Sequence, residues 1–318
     1  MTHWHRFSLF FLLSILLLAL VPLIDLAAGG GLMDFGGQAA RATEVTGVAW
    51  TSNLVSVIRL AFVEPGLWLL VLGSSVPMLA GLIVLIFATS PDFKRRFVAR
   101  LHPLGSSPAP IGRALVSYAA MIVVIVIALA VAGWIRRMTG EAYSFDANWL
   151  SFAILPAILS AAFLDQGAVL EEAGWRGVGQ PVLTDGGVPA LMAAIIVGLA
   201  WGLWHVPRDI FADLPGSLGL ATYLGLYLPA FLLGTVTTSI IAIYFMNRLN
   251  GALLPAIMVH GLVNDSMGLA GSASIEIALT PTHQITKALP LLALAIILVV
   301  MTRGRLGASK PSARPSDN

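Results

Sequence analysis

Cysteine is absent from the 318-residue chain, which excludes disulfides, thiolate metal sites, iron–sulfur ligation and a cysteine nucleophile at once. Charge is also scarce: 11% of residues are Asp, Glu, Lys or Arg, against about 25% in soluble domains. So few charges cannot cover a water-facing surface for a body of this length. With 58% apolar residues and a mean hydropathy of +0.88, much of the exterior must face lipid. Neither sign of charge dominates, since 18 basic side chains stand against 16 acidic ones, and this near balance argues against nucleic acid as a partner. Histidine is limited to His3, His5, His102, His205, His260 and His283, so catalysis would have to draw on a short list of side chains.

What the chain does have is long apolar runs. Eight are long enough to cross a hydrocarbon core of about 30 Å: 7–28, 66–88, 114–134, 150–183, 188–206, 222–246, 251–270 and 284–302. They are expected to be helical, because lipid cannot satisfy an open backbone. The fold class that follows is all-α: an integral, multi-pass membrane protein of about eight transmembrane helices, with any active site inside the bundle and the lipid bilayer as its constant partner. The first run exceeds the usual signal-peptide core of about 7 to 15 residues and reads as an uncleaved anchor. The connection 29–64 reads as a loop with an interfacial helix over 48–63. Three regions are expected: N-terminal spans over 1–110 with no motif, a core over 111–302, and a disordered basic tail over 303–318.

Orientation follows from basic residues in short loops. Lys94, Arg95, Arg96, Arg100 and Arg113 crowd the connection 89–113, and Arg303, Arg305, Lys310 and Arg314 the tail, so both, and with them the two termini, are expected in the cytoplasm. Arg136 and Arg137 on the opposite side run against the rule. The fourth run needs a break: Trp149 to Leu183 as one straight helix would be roughly 52 Å long. Pro156 and Gly167 are the expected bends, and Thr184-Asp185-Gly186-Gly187 the turn that follows.

Ionisable groups inside apolar spans are costly and usually face a cavity or a partner. They fall in three places: Glu171-Glu172 with Arg176, preceded by Asp165; Trp201 to His205; and His260 to Asp265. Glu172 and Arg176 are four apart and share a helix face as a charge pair, while Glu171, about 100° away, is left free for chemistry. Asp165, two turns before Glu172, is expected to extend that pair. His260 and Asn264 are also four apart and point at one volume. Measured from the turn near residue 185, Glu171 and His205 lie at depths of roughly 21 and 30 Å on neighbouring helices, so they can meet in one layer. Singly, each group has a plain structural reading: neutralised interfacial charges, an interfacial anchor, interhelical hydrogen bonding. Jointly, two histidines facing one glutamate pair favour a site.

These residues resemble the CPBP intramembrane proteases, the family of the type II CAAX prenyl endopeptidases and of bacteriocin-processing and immunity proteins. The resemblance lies in Glu171-Glu172 with Arg176, His205, and His260 with Asn264, in that order on successive spans, over roughly residues 150–270. One departure is Trp201, where a phenylalanine commonly stands; the substitution keeps an aromatic wall. The resemblance implies peptide-bond hydrolysis within the membrane, with the paired-glutamate position as base and the histidines and asparagine assisting. The chemistry suits these roles. A carboxylate in a low-dielectric cavity, Glu171, can take a proton from water held also by His205, help worth about 10² to 10⁴ in rate. His260 and the Asn264 amide can donate to the oxyanion, at about 2.7 to 4 kcal/mol per donor. Arg176 fixes Glu172.

Other readings stay open at this point. Glu171, His205 and His260 match the donor set of a zinc hydrolase with one open position, and the family is often called metalloprotease. Yet no His-Glu-x-x-His helix is present, and the Glu172–Arg176 pair competes for carboxylate, so a divalent metal such as zinc is left undecided. A proton- or cation-coupled transporter using the same cluster, and a non-catalytic scaffold of the family fold, are the alternatives. The substrate class expected is a membrane-associated peptide or protein, prenylated or not.

Overall fold

The computed structural model describes residues 1–105, 110–140, 154–264 and 279–308, and all the regular structure among them is helical. Helices α1 (His3–Leu18) and α2 (Leu20–Ala27) form one span; α3 (Phe35–Thr46) and α4 (Leu54–Ala61) lie between it and α5 (Leu67–Ala88). Next come α6 (Pro91–Arg100), α7 (Ile111–Met138), α8 (Leu155–Leu164), α9 (Gln166–Gly174), a π-helical turn (Trp175–Gly179) and α10 (Gln180–Asp185). The rest are α11 (Ala190–Trp204), α12 (Val206–Phe211), α13 (Leu214–Leu218), α14 (Leu220–Thr222) running through a second π turn into α15 (Leu228–Arg248), α16 (Leu254–Asn264) and α17 (Pro281–Thr302).

Six of the eight expected spans are continuous, apolar and long enough to cross a membrane: His3–Ala27, Leu67–Ala88, Ile111–Met138, Ala190–Phe211, Leu220–Arg248 and Pro281–Thr302. The protein is a polytopic helical membrane protein. Only 28% of the apolar window of the first and of the last span is buried, so their outer faces are apolar and outward, as lipid demands. The other two expected spans differ. The fourth is built in pieces from α8 to α10, and of the seventh only 251–264 falls within the described residues, helical over Leu254–Asn264.

The break in the fourth span is at Asp165, not at Pro156 or Gly167. Pro156 sits in the first turn of α8, where a missing N–H costs nothing, and Gly167 lies in the first turn of α9. Asp165 leaves the helix with ψ 125° and caps α9 by accepting from Ala168 N at 2.7 Å. The freed backbone at Gln166 donates to Ser52 O at 2.8 Å, and Asn53 Nδ2 donates to Ser160 Oγ at 2.8 Å. The connection before α4 therefore supplies hydrogen bonds that lipid could not. The interfacial helix expected over 48–63 is shorter, Leu54–Ala61, because Ser52 and Asn53 lie against the break at Asp165, and α3 was not foreseen.

Two apolar clusters flank the broken span. One joins α1, α5, α11 and the π turn through Phe10, Val76, Trp175, Val197 and Trp204; the other joins α7, α8, α15, α16 and α17. Close approach is set by missing side chains: a Cβ on Gly174 would overlap the Pro77 carbonyl of α5, and one on Gly261 the Ala161 carbonyl of α8. Of the tail read as disordered, 303–308 is packed, with Leu306 buried and its carbonyl accepting from Asn247 Nδ2 at 2.9 Å. Its remainder, 309–318, lies outside the described residues.

Candidate active site

α9 is nine residues long and carries Glu171 and Glu172; the π turn that follows carries Arg176. Gly174, Gly177 and Gly179 weaken regular α-helix here, and the widened turn is the kind of local irregularity that recurs at functional sites. Trp175 wedges it in place, 5.0 Å from Phe10 and 6.1 Å from Trp204 between ring centroids. α11 and α16 present the other side chains from either flank.

Glu172 is fully buried and is a junction: its Oε1 accepts from Arg176 Nη1 at 2.6 Å and from His260 Nδ1 at 2.8 Å. The expected charge pair is present, and it recruits His260 as well. Glu171 is not free. Its Oε2 accepts from the Trp201 indole Nε1 at 2.8 Å. His205 Nδ1 donates to Trp201 O at 2.8 Å, since a carbonyl can only accept; this fixes the tautomer and leaves Nε2 with its lone pair. Trp201 is thus the hub: its ring centroid is 4.5 Å from that of His260 and 5.9 Å from that of His205, and the Arg176 guanidinium lies 4.6 Å from it.

Asp165 does not extend the Glu172–Arg176 pair. The helix break turns it toward α16, where it accepts from Asn264 Nδ2 at 3.1 Å. Gly167 explains how Asn264 approaches Glu171: a Cβ there would lie 3.0 Å from Asn264 Nδ2 and 3.3 Å from Glu171 Oε1. Glu171 and His205 both line one cavity of about 150 Å³, walled mainly by apolar side chains including Leu18, Val21, Leu69 and Phe211, with Arg208 beside it. His260 reaches the cluster from behind Trp201, through Glu172.

Sequence reading treated Trp201 only as an aromatic wall and missed its hydrogen bond. The available signal was its indole N–H, a donor that needs a partner when buried in an apolar span. Nothing in the sequence marked Ser52 or Asn53. As for a metal, among the described residues no three His, Asp or Glu side chains come together closely enough to hold one ion. Glu172 is occupied by Arg176 and His260, and His260 is turned to Glu172 and not to Glu171 and His205, so as placed this donor set does not fit a resident metal.

Residues 147–265 match the family model described as type II CAAX prenyl endopeptidase Rce1-like. This segment belongs to the CAAX-protease family. The matched stretch contains the paired glutamates, Arg176, His205, His260 and Asn264, and its likeness to this family supports, at family level, a CAAX-type intramembrane endopeptidase. No curated protein matches the chain.

Proposed function

We propose that the protein hydrolyses a peptide bond of a membrane-associated peptide or protein, with water activated by Glu171. The observation that carries this reading is the pair Glu171 and His205 on one apolar-walled cavity, each held from behind by Trp201. Glu171 keeps Oε1 for water while Oε2 is held by the indole. His205, tautomer set by the Trp201 carbonyl, offers Nε2 as acceptor to the same water. As the water oxygen attacks the scissile carbonyl carbon, its proton passes to Glu171. The oxyanion that forms takes a hydrogen bond from Asn264 Nδ2 and, when His260 carries a proton on both ring nitrogens, a second from its Nε2–H while Nδ1–H stays on Glu172. When the C–N bond breaks, Glu171 returns the proton to the leaving amine, giving one carboxylic acid, which then ionises, and one amine per water consumed. No metal enters these steps.

An apolar cavity suits a hydrophobic or lipid-bearing peptide, since it removes apolar surface from water while presenting few polar contacts. In the same reading the basic end of the bundle faces the cytoplasm. The test is cleavage in proteoliposomes of a farnesylated peptide with a CAAX-type terminus and of its unprenylated counterpart, read by mass spectrometry. Wild type releases product from the farnesylated peptide at least, and the Glu171→Gln protein, folded and reconstituted equally, releases none. Equal release by both proteins removes the base assignment.

A further inference from the structure

At one end of the bundle lies a second cavity, of about 830 Å³, that the hydrolytic steps do not use. It is formed where α6, the α10–α11 turn, the end of α15 and the segment after α17 converge, and Arg100, Arg176, Gln180, Arg303 and Arg305 line it. One carboxylate, Asp185, also lines it, but its Oδ2 is already paired with Arg96 Nη2 at 2.7 Å. Three of the lining residues carry buried polar atoms without a protein partner among the described residues: Nη1 of Arg100, Nε and Nη2 of Arg176, and both amide atoms of Gln180. Arg176 is fully buried and Gln180 is 3% exposed, so solvent does little to satisfy them. Burial also disfavours the charged form of Arg100. Guanidinium N–H groups left without acceptors, on the half-buried Arg100 and on the edge of Arg176 not used by Glu172, are matched by one chemistry, a planar or tetrahedral oxyanion.

We infer that this cavity binds the phosphate group of an anionic lipid, seated between Arg100 and Arg305 at the rim and Gln180 and the free edge of Arg176 at the floor. A lipid is favoured over a small ion because the cavity is far larger than one phosphate and because Ile243 and Met246 give it an apolar wall beside the guanidinium groups. Arg176 then connects two sites: Nη1 holds Glu172, which holds His260, while Nε and Nη2 have no partner and the residue lines the cavity. Occupancy would stiffen that chain and raise cleavage, a consequence that rests on the proposed protease reading, whereas the binding itself does not.

The experiment is native mass spectrometry of the full-length protein released from phosphatidylcholine nanodiscs doped with phosphatidylglycerol, beside a titration of inorganic phosphate in detergent. One tightly retained phosphatidylglycerol is expected. Arg100→Gln with Arg305→Gln removes two charge-assisted contacts and should weaken retention about tenfold or more. Arg95→Gln with Arg113→Gln, an equal charge loss outside the cavity, should leave it unchanged. If the first variant does not fold, Ala308→Glu places a carboxylate on the cavity wall and should weaken retention likewise. Saturable binding of inorganic phosphate with no selective lipid retention would overturn the lipid assignment. Retention indifferent to both cavity variants, or lost equally in the charge control, overturns the site. Loss of lipid binding with cleavage unchanged overturns the coupling alone.

Discussion

Replacing Arg176 with methionine isolates what holds the buried polar chain together. Arg176 and Glu172 are both fully buried and joined at 2.6 Å, four residues apart across the junction of α9 and the π turn. Removing one partner of such a pair leaves an uncompensated charge in a low-dielectric interior, which costs about 3 to 5 kcal/mol. Here Glu172 Oε1 retains its hydrogen bond from His260 Nδ1 at 2.8 Å, and a hydrogen bond to a charged group is worth about 1.5 to 3 kcal/mol. The expected loss therefore lies at the lower end, about 3 kcal/mol, with the guanidinium stacked on Trp201 adding to it. Thermal unfolding in detergent micelles reads the effect. The double variant Glu172→Gln with Arg176→Met removes both charges and should regain more than half of the lost stability, while cleavage stays low because His260 has lost its carboxylate. An Arg176→Met protein as stable as wild type, or a double variant no better than the single one, would refute the reasoning that a desolvated charge pair fixes the π turn.

Three further outcomes follow from the same geometry. Trp201→Phe keeps the ring but removes the indole N–H from Glu171, so cleavage should fall about tenfold with little change in thermal stability; unchanged cleavage would mean the carboxylate needs no clamp. Gly167→Ala drives a methyl against Asn264 Nδ2 and Glu171 Oε1, and cleavage should drop by an order of magnitude or more in a folded protein, as checked by kinetics and circular dichroism together. Arg96→Gln breaks only a half-exposed ion pair with Asp185 and should cost less than about 1 kcal/mol in the same unfolding assay.

Periodicity and hydropathy made the spans legible because their physics is local: an apolar run of sufficient length has one way to satisfy its backbone in lipid. The Glu172–Arg176 pair was legible for the same reason, as a spacing of four on one helix. What escaped depends on contacts distant in sequence. Asp165 was assigned to Glu172 on the assumption of continuous helix, but the break at Asp165 itself turns the side chain to Asn264. The position of that break is set by Ser52 and Asn53, more than a hundred residues away, which no pattern in the sequence connects to it. His260 was expected to face the glutamate pair, but which of the two it meets could not be read: the crossing of α16 over α9 delivers its Nδ1 to Glu172. Trp201 carried a visible clue, a buried donor, but its acceptor could be identified only once α11 was laid against α9.

The measurement that bears most directly on the proposed chemistry is single-turnover cleavage of a membrane-anchored peptide in proteoliposomes by Glu171→Gln, His205→Ala and the two combined. Residues acting on one water work as a unit, so each single variant should lose about 10² to 10⁴ in rate and the combination little more than either. Losses that multiply, or a Glu171→Gln protein that cleaves at the wild-type rate, would contradict a shared water between Glu171 and His205.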